Sequence, residues 1–150
     1  MAANNFPIFG GKPETNIANI TSGNTSSLVV ASPADATNFK LLFTAGTNGG
    51  WIDQFTYKWI STASPASGTP NACVIYLWLT DSTGLNARIY HSYSVTAGSA
   101  MSATVAGKEE SFVYNFANLA AGVKVFASVS QIAANTSLNA VVEGGQFEAQ

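Results

Sequence analysis

FKLLFTAGTNGGWIDQFTYKW, Phe39 to Trp59, is the stretch whose reading decides the fold. Phe39, Leu41 and Phe43 alternate with Lys40, Leu42 and Thr44, which is the period-2 signal of a strand with one buried face. Gly46, Asn48, Gly49 and Gly50 follow, residues that tolerate φ > 0 in a sharp reversal. Trp51 to Trp59 resumes the apolar pattern, so the stretch predicts a β-hairpin. Within its second arm Ile52 and Phe55 are three apart, whereas Phe55, Tyr57 and Trp59 are two apart. That change of phase predicts a β-bulge near Asp53 and Gln54.

The same alternation runs through the rest of the chain. Asn16 to Ile20 is a weak strand, and Ser27 to Ala31 a better one. Ala72 to Thr80 is the most apolar: Cys73, Ile75, Leu77 and Leu79 share one face, Val74, Tyr76 and Trp78 the other. A strand greasy on both faces needs cover on both, so it is central or lies against a partner. Arg88 to Val95 sets Ile89, His91, Tyr93 and Val95 on one side. Met101 to Ala106 is a weak strand, and Lys108, Glu109 and Glu110 read as a solvated loop. Ser111 to Phe116 groups Phe112, Tyr114 and Phe116, while Val123 to Ile132 turns Val123, Val125, Ala127 and Val129 inward. Leu138 to Glu143 is the last main strand, with Gly144, Gly145, Gln146 and Phe147 ending the pattern. About eight to ten strands at ~8–12-residue spacing predict an all-β fold, an antiparallel β-sandwich or jelly roll.

One domain fits 150 residues, and we divide it into an N-terminal arm, residues 1–15, and a β domain, residues 16–150. The arm lacks periodicity but carries an apolar knot, Phe6, Pro7, Ile8 and Phe9, that folds back on the domain or reaches a neighbouring subunit. Charged residues are only 9% of the chain and hydrophobic ones 47%. A surface that bland is expected to be covered in part by a partner. The expected contact residues are Phe6, Pro7, Ile8, Phe9, Tyr76 and Trp78. A net charge of -2 without a Lys/Arg cluster argues against nucleic acid. No apolar run has the length of a membrane helix, and no signal peptide opens the chain, so the expected site of synthesis is a reducing cytoplasm.

Chemistry finds little purchase. His91 is the only histidine and is expected to be part-buried and hydrogen-bonded. A catalytic histidine needs a nucleophile and an orienting acid, and no Gly-x-Ser-x-Gly elbow is present. Cys73, the only cysteine, sits in an apolar run and reads as a small buried hydrophobe. One histidine and one cysteine do not make a zinc site. Asp53, Asp81 and Glu143 are the carboxylates from which a glycosidase pair could be assembled, without local support. No enzyme activity, cofactor or metal is expected. Trp51, Tyr57, Trp59, Tyr76, Trp78 and Tyr90 could form a carbohydrate platform if exposed; packing is the simpler account.

Three segments together are informative: LLFTAGTNGGWIDQF (Leu41 to Phe55), VIYLWLTDST (Val74 to Thr83) and LAAGVKVFASVSQIAANTSLNAVVEGGQF (Leu119 to Phe147). Their order resembles small virion proteins of tailed bacteriophages, in which a TAGxNGxxID segment precedes a strand and the chain closes on LNxVVEGGxF. The likeness spans most of residues 28 to 147 and leaves out the arm. It implies a head decoration (cement) protein, jelly-roll-like and often trimeric, that binds the major capsid protein and itself and is made in the bacterial host. It carries over no catalytic residue. A tail or neck component and a carbohydrate-binding sandwich are the alternatives.

Overall fold

Alternating apolar residues dictate strands almost throughout. The computed structural model describes residues 11–24 and 38–148, the side chains of 115–117 excepted. The knot Phe6 to Phe9 and the strand expected at Ser27 to Ala31 lie outside those residues. Eight strands are present among the described residues: β1 (Gly11–Ile20), β2 (Lys40–Thr44), β3 (Gly50–Ser61), β4 (Cys73–Thr80), β5 (Arg88–Val95), β6 (Glu109–Leu119), β7 (Lys124–Val129) and β8 (Thr136–Phe147). β1 starts at Gly11, so residues 11–15, assigned above to the arm, belong to the sheet. Met101 to Ala106 is not a strand, and Glu109 and Glu110 open β6 rather than lying in a loop.

Two four-stranded sheets form, ordered β1-β8-β3-β6 and β2-β7-β4-β5, with every pair antiparallel. We call them sheets A and B. The pairs are nested: β4 with β5 innermost, then β3 with β6, β2 with β7, and β1 with β8. β3–β8 and β4–β7 pairings join these ribbons into sheets. That order is the eight-stranded jelly roll, so the expected fold class holds.

The expected hairpin of Phe39 to Trp59 does not exist. β2 and β3 stand in different sheets. Between them only a single bridge, Gly46 to Gly49, closes the turn, with Gly49 at φ 89°. The glycines serve a corner between layers, and among the described strands the consecutive pair that forms a hairpin is β4–β5. The expected bulge is present: Ile52 faces Gly144 and Gln54 faces Glu143, leaving Asp53 as the extra residue.

The core lies between the sheets. Phe55, Tyr57 and Trp59 of β3, Ile75 and Leu77 of β4, Val125, Ala127 and Val129 of β7, and Leu138, Ala140 and Val142 of β8 are fully buried there. Each large apolar side chain buried this way stabilises the fold by roughly 1.5–3 kcal/mol. The face expected to turn inward on β7 is thus buried, the alternation read in β3 and β4 is present, and β4 is internal to its sheet.

Candidate functional site

The Gly-rich segments, which the sequence treats as turn and terminus, meet in one ladder. Gly50 faces Gln146, Trp51 faces Gly145, and Ile52 faces Gly144. The indole of Trp51 crosses the sheet towards Phe147, with ring centroids 5.3 Å apart. It fills the space where a Cβ would stand on two neighbouring strands: 2.4 Å from one on Gly145 and 2.1 Å from one on Gly11. A Cβ on Gly144 would instead meet the Trp51 carbonyl oxygen at 2.1 Å, because the Asp53 bulge brings that backbone close. Gly144 and Gly145 are therefore strand residues. On the far side of the same end, Gln146 Nε2 donates to Glu14 at 2.9 Å. Between β1 and β2 lies an open cleft of about 300 Å³ lined by Glu14, Asn16, Ile17, Leu41, Phe43 and Gln146.

At the opposite side of the sandwich, β5 and β6 are the facing edges of the two sheets. Rings fill the mouth between them. Tyr93 stacks on Phe112 with centroids 3.9 Å apart and on Phe55 at 5.7 Å, and its hydroxyl meets that of Tyr114. β5 carries a bulge, since Leu77 faces His91 and Trp78 faces Ile89, with Tyr90 in excess. The bulge gathers Tyr90 and His91 near Tyr114, at 6.0 Å and 4.9 Å. It also sends Ile89 to the outer face, so Ile89 does not share a side with His91 and Tyr93. Burial pushes the Tyr93 phenol up to about 12, with Tyr90 adding to the effect.

His91 is half-buried as expected, but its neighbours are rings, and among the described residues its imidazole makes no hydrogen bond. Burial lowers its pKa. Tyr90, Tyr93 and Tyr114 surround it, so its surroundings among the described residues are those of a packed ring. Asp81 lies in the β4–β5 turn, where it accepts from Thr83 N–H at 2.9 Å, Leu85 N–H at 3.1 Å and Asn86 Nδ2 at 2.6 Å. Bonds from Thr83 and Asn86 above all hold its carboxyl at about 2. Asp53 and Glu143 fall together in sheet A, away from Asp81. Among the described residues no group of three or more His, Cys, Asp or Glu could hold a metal.

Cys73 is buried, and that burial pushes its thiol up to about 11. It lies in an ionisable neighbourhood with Lys108, Tyr57 and Glu110. Lys108 Nζ contacts Glu110 at 2.9 Å. That bond first, and Tyr57 second, hold the Glu110 carboxyl below its usual range. Burial, then Glu110, raises the Tyr57 phenol. The hydroxyl faces Glu110 without a hydrogen bond of good geometry, and Trp59 Nε1 is likewise buried without a partner.

Of the two contact residues expected on β4, Tyr76 is half-buried on the outer face of sheet B. Trp78 is 1% exposed and cannot itself touch a partner. Its Nε1 donates to buried Ser128 Oγ at 2.9 Å, and its ring meets Phe39 edge-on at 5.3 Å and Tyr76 at 5.9 Å. It underpins the row Leu41–Phe126–Trp78–Ile89 that crosses the outer face of sheet B. Of the three indoles, Trp59 and Trp78 are buried, and the part-exposed ring of Trp51 packs over Gly11 and Gly145. The signal sequence reasoning missed is pairing: the β5 bulge takes Ile89 out of the ring cluster, and Phe39, from outside the strand, packs on Trp78.

No protein-family model and no curated protein matches the chain. Among solved structures it is similar to a chain of the "Structure of infectious bursal disease virus Gt strain", at 9% identity and a TM-score of 0.32. The match covers 94% of this chain and 38% of that one.

Proposed function

We propose that this protein is a structural component of a tailed-bacteriophage virion, a decoration (cement) protein that binds the major capsid protein and copies of itself as a trimer. It is made in the bacterial host cytoplasm, carries no catalytic role and needs no cofactor. The observation that carries the reading is the ladder of Gly50–Ile52 with Gly144–Gln146. Two of the three stretches on which the likeness to phage virion proteins rests are register partners, and both are committed to backbone packing around Trp51. Motifs of that kind preserve a shape. The jelly roll is also the architecture of viral capsid and lectin domains, an analogy of fold alone. A surface with few charges and with Ile17, Leu41, Ile89 and Val113 exposed is suited to protein contact.

The test is to add purified protein to undecorated phage heads and image the particles. Density at regular positions on the head is expected. Density confined to the tail or neck would transfer the protein to that part of the virion. No binding to any part of the particle would refute a virion role.

A further inference from the structure

Among the described residues sheet A has two open edges: β1 pairs only with β8, and β6 only with β3. The outer face between them is mostly polar and satisfied within itself. Asn19 Nδ2 donates to Asn139 Oδ1 at 2.8 Å, Thr56 and Ser111 hydroxyls meet at 2.7 Å, and Lys58 pairs with Glu109 at 3.1 Å. Two large apolar side chains on that face are left in water, one at each edge: Ile17 on β1, 67% exposed, and Val113 on β6, 64% exposed.

We propose that sheet A continues from copy to copy, β6 of one protomer pairing with β1 of the next, as the contact that builds the oligomer. The reading rests on the self-association proposed above and assigns it a surface. The strands match in length, 10 and 11 residues. They run in opposite directions, since three antiparallel pairings separate them. A neighbour in the same orientation therefore presents β1 antiparallel to β6, the arrangement that completes both sets of free backbone groups.

Side-chain parity agrees. Within the sheet the row of Ile17 ends at Ser111, and the row of Thr15 ends at Val113. Setting Val113 opposite Ile17 needs a two-residue shift, and an even shift keeps the side chains of the regular part of β6, up to Val113, on their own faces. That register also sets Ser111 opposite Asn19, Phe112 opposite Ala18 and Tyr114 opposite Asn16, with no like charges facing. A twofold contact through β1 alone would leave Val113 in water, whereas a head-to-tail contact removes both apolar residues at once. Head-to-tail contacts that close generate rings, of which a trimer is one.

The experiment mixes the full-length variants Ile17→Cys and Val113→Cys under oxidising conditions and reads non-reducing gels. Cross-strand neighbours come close enough for a disulfide, and Cys73 is buried and silent. The expected result is a crosslink between the two variants and none in either alone. Ile17→Lys or Val113→Lys should weaken self-association by about tenfold, read by sedimentation. A crosslink within Ile17→Cys alone, or self-association of the wild type with neither crosslink nor lysine effect, would overturn the proposal. A wild type that stays monomeric would overturn it too, while binding to phage heads would decide the virion role separately.

Discussion

Replacing Gly11 and Gly144 by alanine separates two kinds of close approach and tests the Trp51 clamp. On Gly11 a Cβ would fall 2.1 Å and 2.3 Å from atoms of the Trp51 ring, with the Gln146 carbonyl oxygen next at 3.1 Å. The obstruction is a side chain. Overpacking costs about 1–3 kcal/mol, and the stiffer unfolded chain offsets about 0.4–1 kcal/mol of that. On Gly144 the nearest atoms are the Trp51 carbonyl oxygen at 2.1 Å, then Ile52 Cα and Trp51 C at 3.1 Å, all backbone. Nothing there can swing away, so Gly144→Ala should cost about 3 kcal/mol or more. For a chain of this size 1 kcal/mol moves Tm by about 2–4 °C, so Gly144→Ala should lower Tm by about 6–12 °C and Gly11→Ala by less. The assay is thermal and urea unfolding of both variants in the wild-type and Trp51→Ala backgrounds. Gly11→Ala should be largely relieved without the indole, a coupling of about 0.5–3 kcal/mol. Gly144→Ala should be unrelieved. Equal losses for Gly11→Ala in both backgrounds, or a harmless Gly144→Ala, would refute the clamp.

Ser128→Ala strands the buried Trp78 Nε1–H that now donates at 2.9 Å, and should cost about 1–3 kcal/mol by urea unfolding; an unchanged midpoint would show that the bond contributes nothing. Cys73, with its thiol raised to about 11 by burial, should react with a thiol reagent at pH 8 only as fast as the protein opens, and rapid stoichiometric labelling of native protein would contradict that. Asp81 is held at about 2 by its bonds to Thr83 and Asn86. Because the folded value lies below the unfolded one of ~3.9, its contribution is present above about pH 4 and is lost as pH falls through about 2. Asp81→Asn should flatten acid unfolding in that window; an identical acid transition would refute it.

The alternation of β3, β4 and β7 is local information, since neighbouring side chains in a strand point to opposite faces whatever the strand pairs with. Sequence by itself therefore determined how the residues of those strands divide between two faces, the slip of phase at Asp53, the burial of Cys73 and an all-β sandwich or jelly roll. Pairing is not local. The stretch from Gly46 to Gly50 suits a corner between two sheets as well as a hairpin, and only β7 and β8, some eighty to a hundred residues downstream, decide that β2 and β3 part company. The same holds for the Gly144-Gly145 pair. Its need for glycine comes from an indole and a bulge on another strand, so it reads as an ending until the ladder is formed. Trp78 alternates onto a face that sequence assigns to a partner, yet it is covered within the chain. What a face packs against depends on the strands the fold lays beside it, and the nested pairing of the jelly roll fixes those neighbours at long range.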